Sequence, residues 1–167
     1  MTENSLDPRV RDIDYLLRHT SMIVRRHGRE ILSHFDITPP QFNALITIIR
    51  HDNLTMGTLC RHLFLASSTV TDLIDRMERN ELVRRVRDER DRRVIRLQAR
   101  RKGRDLLEKV MEARLEYLSE ILQYFSDDEI DSLEHSLGAL YQLMTERDEK
   151  IERQAAKPVT DESGSDR

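Results

Sequence analysis

The residues with the clearest chemical potential are the arginines that crowd one short stretch of the chain. From Leu82 to Arg104 there are 11 Lys or Arg residues and 3 Asp or Glu residues, a net charge of +8. The whole chain has 28 basic and 31 acidic residues, a net charge of −3, so the remainder carries −11. An acidic protein that concentrates its cations in one segment is expected to present that segment to a polyanion.

This basic segment has the pattern of a β-hairpin. Strands are predicted at about 82–87 and 94–98, and the turn between them runs from Asp88 to Arg92. In the second strand, Ile95 and Leu97 share one face. The helix predicted before the hairpin begins with three consecutive hydroxyl residues, 67–69, which indicates that the polyanion is DNA.

Helices are predicted for most of the remaining chain, because apolar residues recur at intervals of three and four. Their expected bounds are about 9–35, 39–50, 56–64, 67–79 and 101–125, followed by a sixth helix after Ser126. Capping boxes at Thr38 with Gln41 and at Ser126 with Glu129 mark two of the starts, and Thr55 caps the third helix. The two short helices at 56–64 and 67–79 match helix-turn-helix geometry.

The predicted fold class is therefore mainly α with a small β-hairpin wing: a winged helix-turn-helix plus a helical dimerisation region. Residues 37–100 are predicted to form the DNA-binding lobe of a domain that spans 1–152. Residues 9–35 and 101–152 are predicted to form dimerisation helices, because their apolar stripes lack enough other chain to cover them. Residues 153–167 lose periodicity and are predicted to be a disordered tail.

These features resemble the MarR family of bacterial transcriptional regulators. The resemblance covers roughly residues 10–150. The matching segments are Ile37–Phe42, Leu54–Thr55 with Leu59 and Leu63, Ser68–Glu78, Leu82–Arg85, Asp88, Asp91–Arg93 and Lys102–Gly103. The resemblance implies a cytoplasmic homodimer that binds a pseudo-palindromic double-stranded DNA operator, acts as a ligand-responsive repressor and is not an enzyme.

The residues expected to contact DNA lie on the second helix of the helix-turn-helix and on the wing. They are Ser67, Ser68, Thr69, Thr71, Arg76, Arg84, Arg90, Asp91, Arg92 and Arg93. The resemblance implies that Arg93 enters the minor groove and that Asp91 orients it. Arg76 has an alternative role as the partner of a wing acid. Simple helix capping is the alternative role for the hydroxyl residues.

Three features depart from the family pattern. The family often has Leu-Thr shortly before Lys-Gly, with Thr as the helix cap, whereas this chain has Leu97-Gln98-Ala99-Arg100-Arg101. Glu81 stands where the family often has Gly before the first strand, which concerns the local turn. Asp72 stands on the DNA-facing side of the helix at a position that is often basic or neutral. An acid there repels phosphate, and a cytosine amino group is the base group from which it is expected to accept a hydrogen bond.

A small anionic or aromatic ligand is the effector that the family resemblance implies. Its expected contacts lie on the first two helices: Arg26, His27, Ile31, Phe42 and Leu45. A carboxylate would meet Arg26 or His27, and a ring would pack on Ile31 and Phe42. The alternative role for Ile31 and Phe42 is in the ordinary core.

Other classes of function have less support in the residues. His27, Glu30 and His34 share one helix face and suggest a zinc-responsive regulator as one alternative, but no cofactor or metal site is predicted. A helical protein that binds an acidic partner is another alternative. The sequence shows no Gly-rich phosphate loop and no catalytic constellation. One cysteine, Cys60, fits a reducing cytoplasm, and the densest apolar run, 44–49, is too short to span a membrane.

Overall fold

The computed structural model describes residues 7–51, 53–88 and 90–155, with the last four as backbone only. The helices and strands, in chain order, are α1 (Pro8–His34), α2 (Pro39–Arg50), β1 (Leu54–Thr55), α3 (Met56–Leu63), α4 (Ser67–Arg79), β2 (Val83–Arg87), β3 (Ile95–Ala99), α5 (Arg101–Leu122) and α6 (Asp127–Ala155). The mainly helical fold with a basic hairpin is confirmed. The chain divides into two compact units, residues 1–117 and 118–167.

The helix starts follow the local signals that predicted them. The Gln41 Oε1 atom accepts hydrogen bonds from the backbone N–H and the hydroxyl of Thr38, each at 3.0 Å. The Thr55 hydroxyl accepts from the backbone N–H of Thr58 at 3.2 Å and so caps α3. A carboxylate oxygen of Glu129 accepts from the N–H and the hydroxyl of Ser126, both at 2.9 Å. These bonds satisfy donors that a helix start would otherwise leave unpaired.

The sheet has three antiparallel strands in the order β1-β3-β2. Leu97 at the centre of β3 lies opposite Leu54 of β1 on one side and Arg85 of β2 on the other. Strand β1 was not predicted, because two residues are too few to show an alternating pattern. Its effect is to fasten the hairpin to the start of α3.

The core lies in the first unit, where it joins α1, α2, the helix-turn-helix, the sheet and the first half of α5. Its members are Ile31, Leu32, Ile37, Phe42, Ala44, Leu45, Ile48, Leu54, Leu59, Val70, Ile74, Met77, Leu82, Val83, Leu97 and Val110. Cys60 is half-buried and packs against this cluster. The core therefore fixes the position of α4 relative to the hairpin.

Two predicted ends differ from the structure by more than one residue. Helix α5 ends at Leu122 instead of about 125, and the N–H of Phe125 bonds to the Leu122 carbonyl at 3.0 Å in a tight turn. Helix α6 continues to Ala155, so the first three residues of the predicted tail are helical. The rest of that tail, 156–167, lies outside the described residues.

The junction between β2 and α5 is unusually close. The Arg100 N–H donates to the Leu82 carbonyl at 2.9 Å. A Cβ atom on Gly103 would lie 2.3 Å from that same carbonyl oxygen, so the start of α5 requires a glycine there. Glu81 has φ = 61°, the left-handed conformation that favours glycine. In the part of the chain that the structure describes, no helix is long and apolar enough to cross a membrane.

Candidate nucleic-acid interface

Helix α4 buries one side and exposes the other. Val70, Ile74 and Met77 are fully buried. The exposed residues of α4 are Ser67, Ser68, Thr69, Thr71, Asp72, Asp75, Arg76 and Arg79. The spacing of Val70, Ile74 and Met77 therefore points the predicted DNA contacts of this helix away from the core.

The hydroxyl groups at the start of α4 do not cap the helix. The N-cap residue is Ala66, and no side chain bonds to the free N–H groups of the first turn. Thr71 donates its hydroxyl hydrogen to the Ser67 carbonyl at 2.9 Å, a bond within the helix. Ser67, Ser68 and Thr69 consequently present hydroxyls, together with the positive end of the helix dipole, to whatever approaches this surface.

Arg85 of β2 ties the wing to α4. Its guanidinium lies 2.6 Å from an Asp75 carboxylate oxygen and 2.8 Å from a Glu78 carboxylate oxygen. Its backbone N–H also donates to Glu78 at 2.9 Å. Partial burial lowers the pKa of Arg85, but its hydrogen bonds to the two carboxylates outweigh this, so its pKa is raised overall. Pairing with a wing acid was the alternative role predicted for Arg76 of α4; in the structure the pairing runs the other way, from Arg85 of the wing to two acids of α4.

Asp88 organises the tip of the wing. One carboxylate oxygen accepts from the backbone N–H groups of Asp91 and Arg90 at 2.9 Å each, and the other bonds to the Arg96 guanidinium. These bonds to Asp91, Arg96 and Arg90 lower the pKa of Asp88 to about 2. Sequence reasoning gave Asp88 no role, although an aspartate that precedes a tight turn is a recognised signal for such bonding.

Asp91 contacts the backbone of Arg93 rather than its guanidinium. The Asp91 carboxylate accepts from the Arg93 N–H at 3.0 Å. The Asp91 carbonyl also accepts from the Val94 N–H at 2.9 Å. Asp91 therefore shapes the turn that carries Arg93 and leaves the guanidinium available.

The base of the wing is fastened through Asn53. Arg96 donates to the Asn53 carbonyl at 2.7 Å, and Gln98 donates its side-chain N–H to the Asn53 side chain at 3.3 Å. Arg84, on β2, donates to the Gln98 side chain at 2.9 and 3.1 Å. The predicted contact residue Arg84 is thus exposed but held in place across the strands.

The remaining predicted cations have no such ties. Arg90, Arg92 and Arg93 are exposed at the wing tip, and Arg76 is exposed on α4. Among residues 7–51, 53–88 and 90–155, none of these four guanidinium groups forms an ion pair. The structure thus distinguishes arginines that bind other groups of the same chain from arginines that are exposed without an ion pair. The net charge of the segment cannot make this distinction.

The predicted ligand residues include both buried and exposed side chains. Phe42, Leu45 and Ile31 lie in the core, with Phe42 only 1% exposed. Arg26 is exposed. The His27 ring stacks on Tyr117, with the ring centroids 3.6 Å apart.

Arg114 of α5 is the residue of this region that the sequence analysis missed. Its guanidinium lies over the Phe42 ring, 4.7 Å from the ring centroid. Its Nε atom is buried without a hydrogen-bond partner among the described residues. A terminal nitrogen lies 3.6 Å from where a side chain on Gly28 would begin. Only the fold reveals this contact, because Phe42 and Arg114 are far apart in sequence.

The suggested zinc face on α1 contains one close contact. His27 Nδ1 lies 3.2 Å from a Glu30 carboxylate oxygen. Within the described ranges, no group of three or more His, Cys, Asp or Glu side chains is placed to hold a metal ion.

Comparison with known proteins identifies the family. The MarR family model matches residues 35–94, which run from the end of α1 to the wing. The uncharacterised HTH-type transcriptional regulator YsmB of Bacillus subtilis is 44% identical over 140 residues, covering 84% of this chain and 95% of YsmB. The chain belongs to the MarR family of transcriptional regulators. Its relatives are regulators and not enzymes, which agrees with the prediction that this MarR-family chain is not an enzyme.

Solved structures of MarR-family proteins share the fold. A MarR family protein from Bacillus stearothermophilus is 44% identical, with a TM-score of 0.76, and the match covers 84% of this chain and 99% of that protein. A variant of MepR from Staphylococcus aureus, bound to an oligodeoxyribonucleotide, is 24% identical with a TM-score of 0.65. That match covers 79% of this chain and 97% of the MepR chain.

Proposed function

We propose that this MarR-family regulator binds duplex DNA as a homodimer, with α4 in the major groove and the wing in the adjacent minor groove. The observation that carries this proposal is the Arg85 contact with Asp75 and Glu78. It holds the exposed face of α4 and the free cations of the wing in one fixed arrangement. Preorganised cations and hydroxyls lower the ordering cost of binding a rigid polyanion.

The exposed residues then divide by the part of DNA that they meet. Ser68 and Thr71 contact phosphates or base edges from the start of α4. Arg93 enters the minor groove, where the negative potential is concentrated. Arg84, Arg90 and Arg92 contact phosphates, and these contacts supply affinity without sequence preference.

The homodimer is supported by apolar side chains that remain exposed on the long helices. In α1 these include Ile13, Leu16, Ile23 and Val24; in α5 and α6 they include Leu115, Leu118, Ile121, Leu133, Leu137, Leu143 and Met144. Large apolar areas of this kind are uncommon on monomeric proteins. A second copy would bury them and place two α4 helices on successive half-sites of one operator.

We further propose that the bound dimer represses transcription and that a small aromatic acid releases it. Occupation of the operator excludes other proteins from the same stretch of duplex. The partnerless Arg114 Nε suits a carboxylate, because a buried donor gains more from an ionised acceptor than from water. Arg114 therefore joins Arg26 and His27 as a candidate anion contact, with the half-buried Tyr117 as a ring contact, whereas Ile31, Phe42 and Leu45 remain core residues.

A salt titration of binding to duplex DNA tests the core of this proposal. The apparent affinity should fall steeply and linearly on a log–log plot, because each neutralised phosphate releases counterions. A triple variant of Arg90, Arg92 and Arg93 to Gln should reduce the slope. Binding that is unaffected by salt, or no DNA binding alongside tight binding to an acidic protein, would favour the helical interaction protein instead.

The effector proposal has a separate test. Salicylate and similar acids are titrated against the protein–DNA complex, and release is followed by fluorescence anisotropy. Release should weaken in Arg114→Gln and persist in Arg29→Gln, an exposed arginine of α1. Release that survives Arg114→Gln, Arg26→Ala and His27→Ala would place the ligand elsewhere.

A further inference from the structure

The acidic residues of α4 are not equivalent. Asp75 and Glu78 share the single positive charge of Arg85, so their charges are partly compensated within the protein. Asp72 is exposed, and its carboxylate forms no ion pair or hydrogen bond within the described part of the chain. Arg76, one turn further along α4, does not pair with it either. Asp72 is thus an uncompensated anion on the face that carries Ser68 and the other predicted contacts.

Helical geometry places Asp72 near the middle of that face. Ser68 and Asp72 are four residues apart and therefore neighbours on one side of the helix. The buried residues Val70, Ile74 and Met77 define the opposite side. In the proposed complex, the Asp72 carboxylate would point toward the floor of the major groove rather than toward the core.

An ionised carboxylate has only acceptor atoms, which restricts what it can meet in that groove. The major-groove edges of guanine and thymine present acceptor oxygens and repel it. Adenine presents an amino group, but its N7 acceptor lies beside that group. Cytosine presents its N4 amino group and no acceptor of its own. Cytosine is consequently the base that Asp72 can bind without a neighbouring acceptor on the same base.

We infer that Asp72 is a specificity-determining residue, which selects a cytosine at one position of each operator half-site. This inference rests on the proposed DNA binding by α4. Asp72 acts in two ways: it accepts from the cytosine amino group, and it disfavours duplexes in which the carboxylate faces phosphates or acceptor-rich base edges. It therefore weakens binding to random DNA while preserving binding to the correct site.

The test begins with selection from a random duplex library by the full-length wild-type protein, Asp72→Asn and Asp131→Asn. The control Asp131→Asn makes the same charge change on an exposed residue of α6. The wild type and the control should enrich a motif with cytosine at one symmetry-related position. Asp72→Asn should lose preference at that position and bind random duplex more tightly than the wild type.

A double-mutant cycle, in which a change at Asp72 is combined with a modified base, then tests the hydrogen bond itself. The selected cytosine is replaced by 2-pyrimidinone, which lacks the amino group. The wild type should lose about fivefold to about a hundredfold in affinity, as expected for one base contact, and Asp72→Ala, which has no side-chain acceptor, should lose much less. Unchanged base preference in Asp72→Asn, or equal losses for both proteins, would overturn the inference. If the wild type enriches no sequence and its DNA binding ignores salt, the proposed function itself fails.

Discussion

At the scale of single residues, the wing arginines have two roles that their shared chemistry conceals. Arg85 and Arg96 are bound to acids or carbonyls of the same chain, whereas Arg93 remains exposed without an ion pair in the described residues. The ties depend on contacts between distant residues: Arg96 and Asn53 are 43 positions apart. A sequence pattern records charge but not these pairings, so the basic surface could be predicted from the sequence but the separate roles of its arginines could not.

Substitution of an exposed wing arginine should weaken DNA binding, whereas substitution of an arginine bound within the chain should lower stability. Arg93→Ala should weaken operator binding by about 1–3 kcal/mol and leave the melting temperature unchanged, because only a DNA contact is removed. Arg96→Ala should lower the free energy of unfolding by about 1–2 kcal/mol, because Asp88 and the Asn53 carbonyl lose a charged donor. Anisotropy and urea unfolding measure the two effects. Operator binding by Arg93→Ala equal to the wild type would refute the assigned role of the wing tip.

Glu81 is a residue at which the chain carries local backbone strain. Its φ of 61° suits glycine, and its ion pair with Arg100 is 3.4 Å long and largely exposed. Left-handed backbone at a non-glycine residue costs about 1 kcal/mol or more, and exposed ion pairs contribute less. Glu81→Gly should therefore raise the free energy of unfolding by about 0.5–1 kcal/mol, as measured by urea unfolding.

The neighbouring Asn80 provides the matched control for that substitution. Its φ is −81°, so Asn80→Gly relieves no strain and adds flexibility to the unfolded chain. Asn80→Gly should leave stability unchanged or lower it. A loss of stability in Glu81→Gly would mean that the Arg100 contact outweighs the strain.

At the scale of helices and strands, the features that could be predicted were those determined by residues close together in the sequence. Thr38 with Gln41 and Ser126 with Glu129 marked helix starts within a few residues, since capping bonds join neighbours in the chain. Strand β1 and the end of α5 lacked such signals. Strand β1 exists because Leu54 pairs with Leu97, a residue far away in the sequence, and no local pattern records that pairing.

The start of α5 depends on a glycine that permits close packing. A side chain at Gly103 would meet the Leu82 carbonyl at 2.3 Å and a Leu45 methyl group at 3.0 Å. Gly103→Ala should lower the free energy of unfolding by about 2 kcal/mol, since backbone must shift. Gly138→Ala in α6 meets nothing within 4 Å and should instead add about 0.5–1 kcal/mol. Equal effects of the two substitutions in thermal unfolding would contradict this account of the junction.

The wing turn should respond to acid through Asp88. Its pKa is lowered from 3.8 to about 2 by hydrogen bonds from Asp91, Arg96 and Arg90. A lowered pKa means that folding favours the ionised form. The resulting stabilisation is complete above about pH 4 and is lost as the pH falls through about 2.

An NMR titration can follow this transition directly. The side-chain carboxyl signal of Asp88 and the backbone amide signals of Arg90 and Asp91 should change together, with a midpoint near pH 2. Asp88→Asn should abolish the shared transition, because the titrating group is gone. A midpoint near 3.8 in the wild type would show that the turn does not favour the carboxylate.

At the scale of the whole molecule, the distribution of apolar surface is the main unexplained feature of a single chain. The core of the first unit accounts for the buried leucines and isoleucines, yet Leu115 is 62% exposed and Leu137 is 49% exposed. Their helical periodicity was visible in the sequence, but periodicity cannot say which surface covers them. The proposed homodimer supplies that surface from an identical copy.

Dimerisation and tight DNA binding should depend on each other. The wild type should sediment at about twice 19.8 kDa at micromolar concentration, and Leu115→Glu with Leu137→Glu should sediment as a monomer. The matched control Gln142→Glu changes an exposed polar residue of α6 and should remain dimeric. Because a dimer engages two half-sites about 34 Å apart, the second half-site binds at high effective concentration. The monomeric variant should accordingly bind the operator at least about a hundredfold more weakly but retain its affinity for an isolated half-site. A wild-type monomer that binds a full operator tightly would show that the exposed apolar side chains serve another purpose.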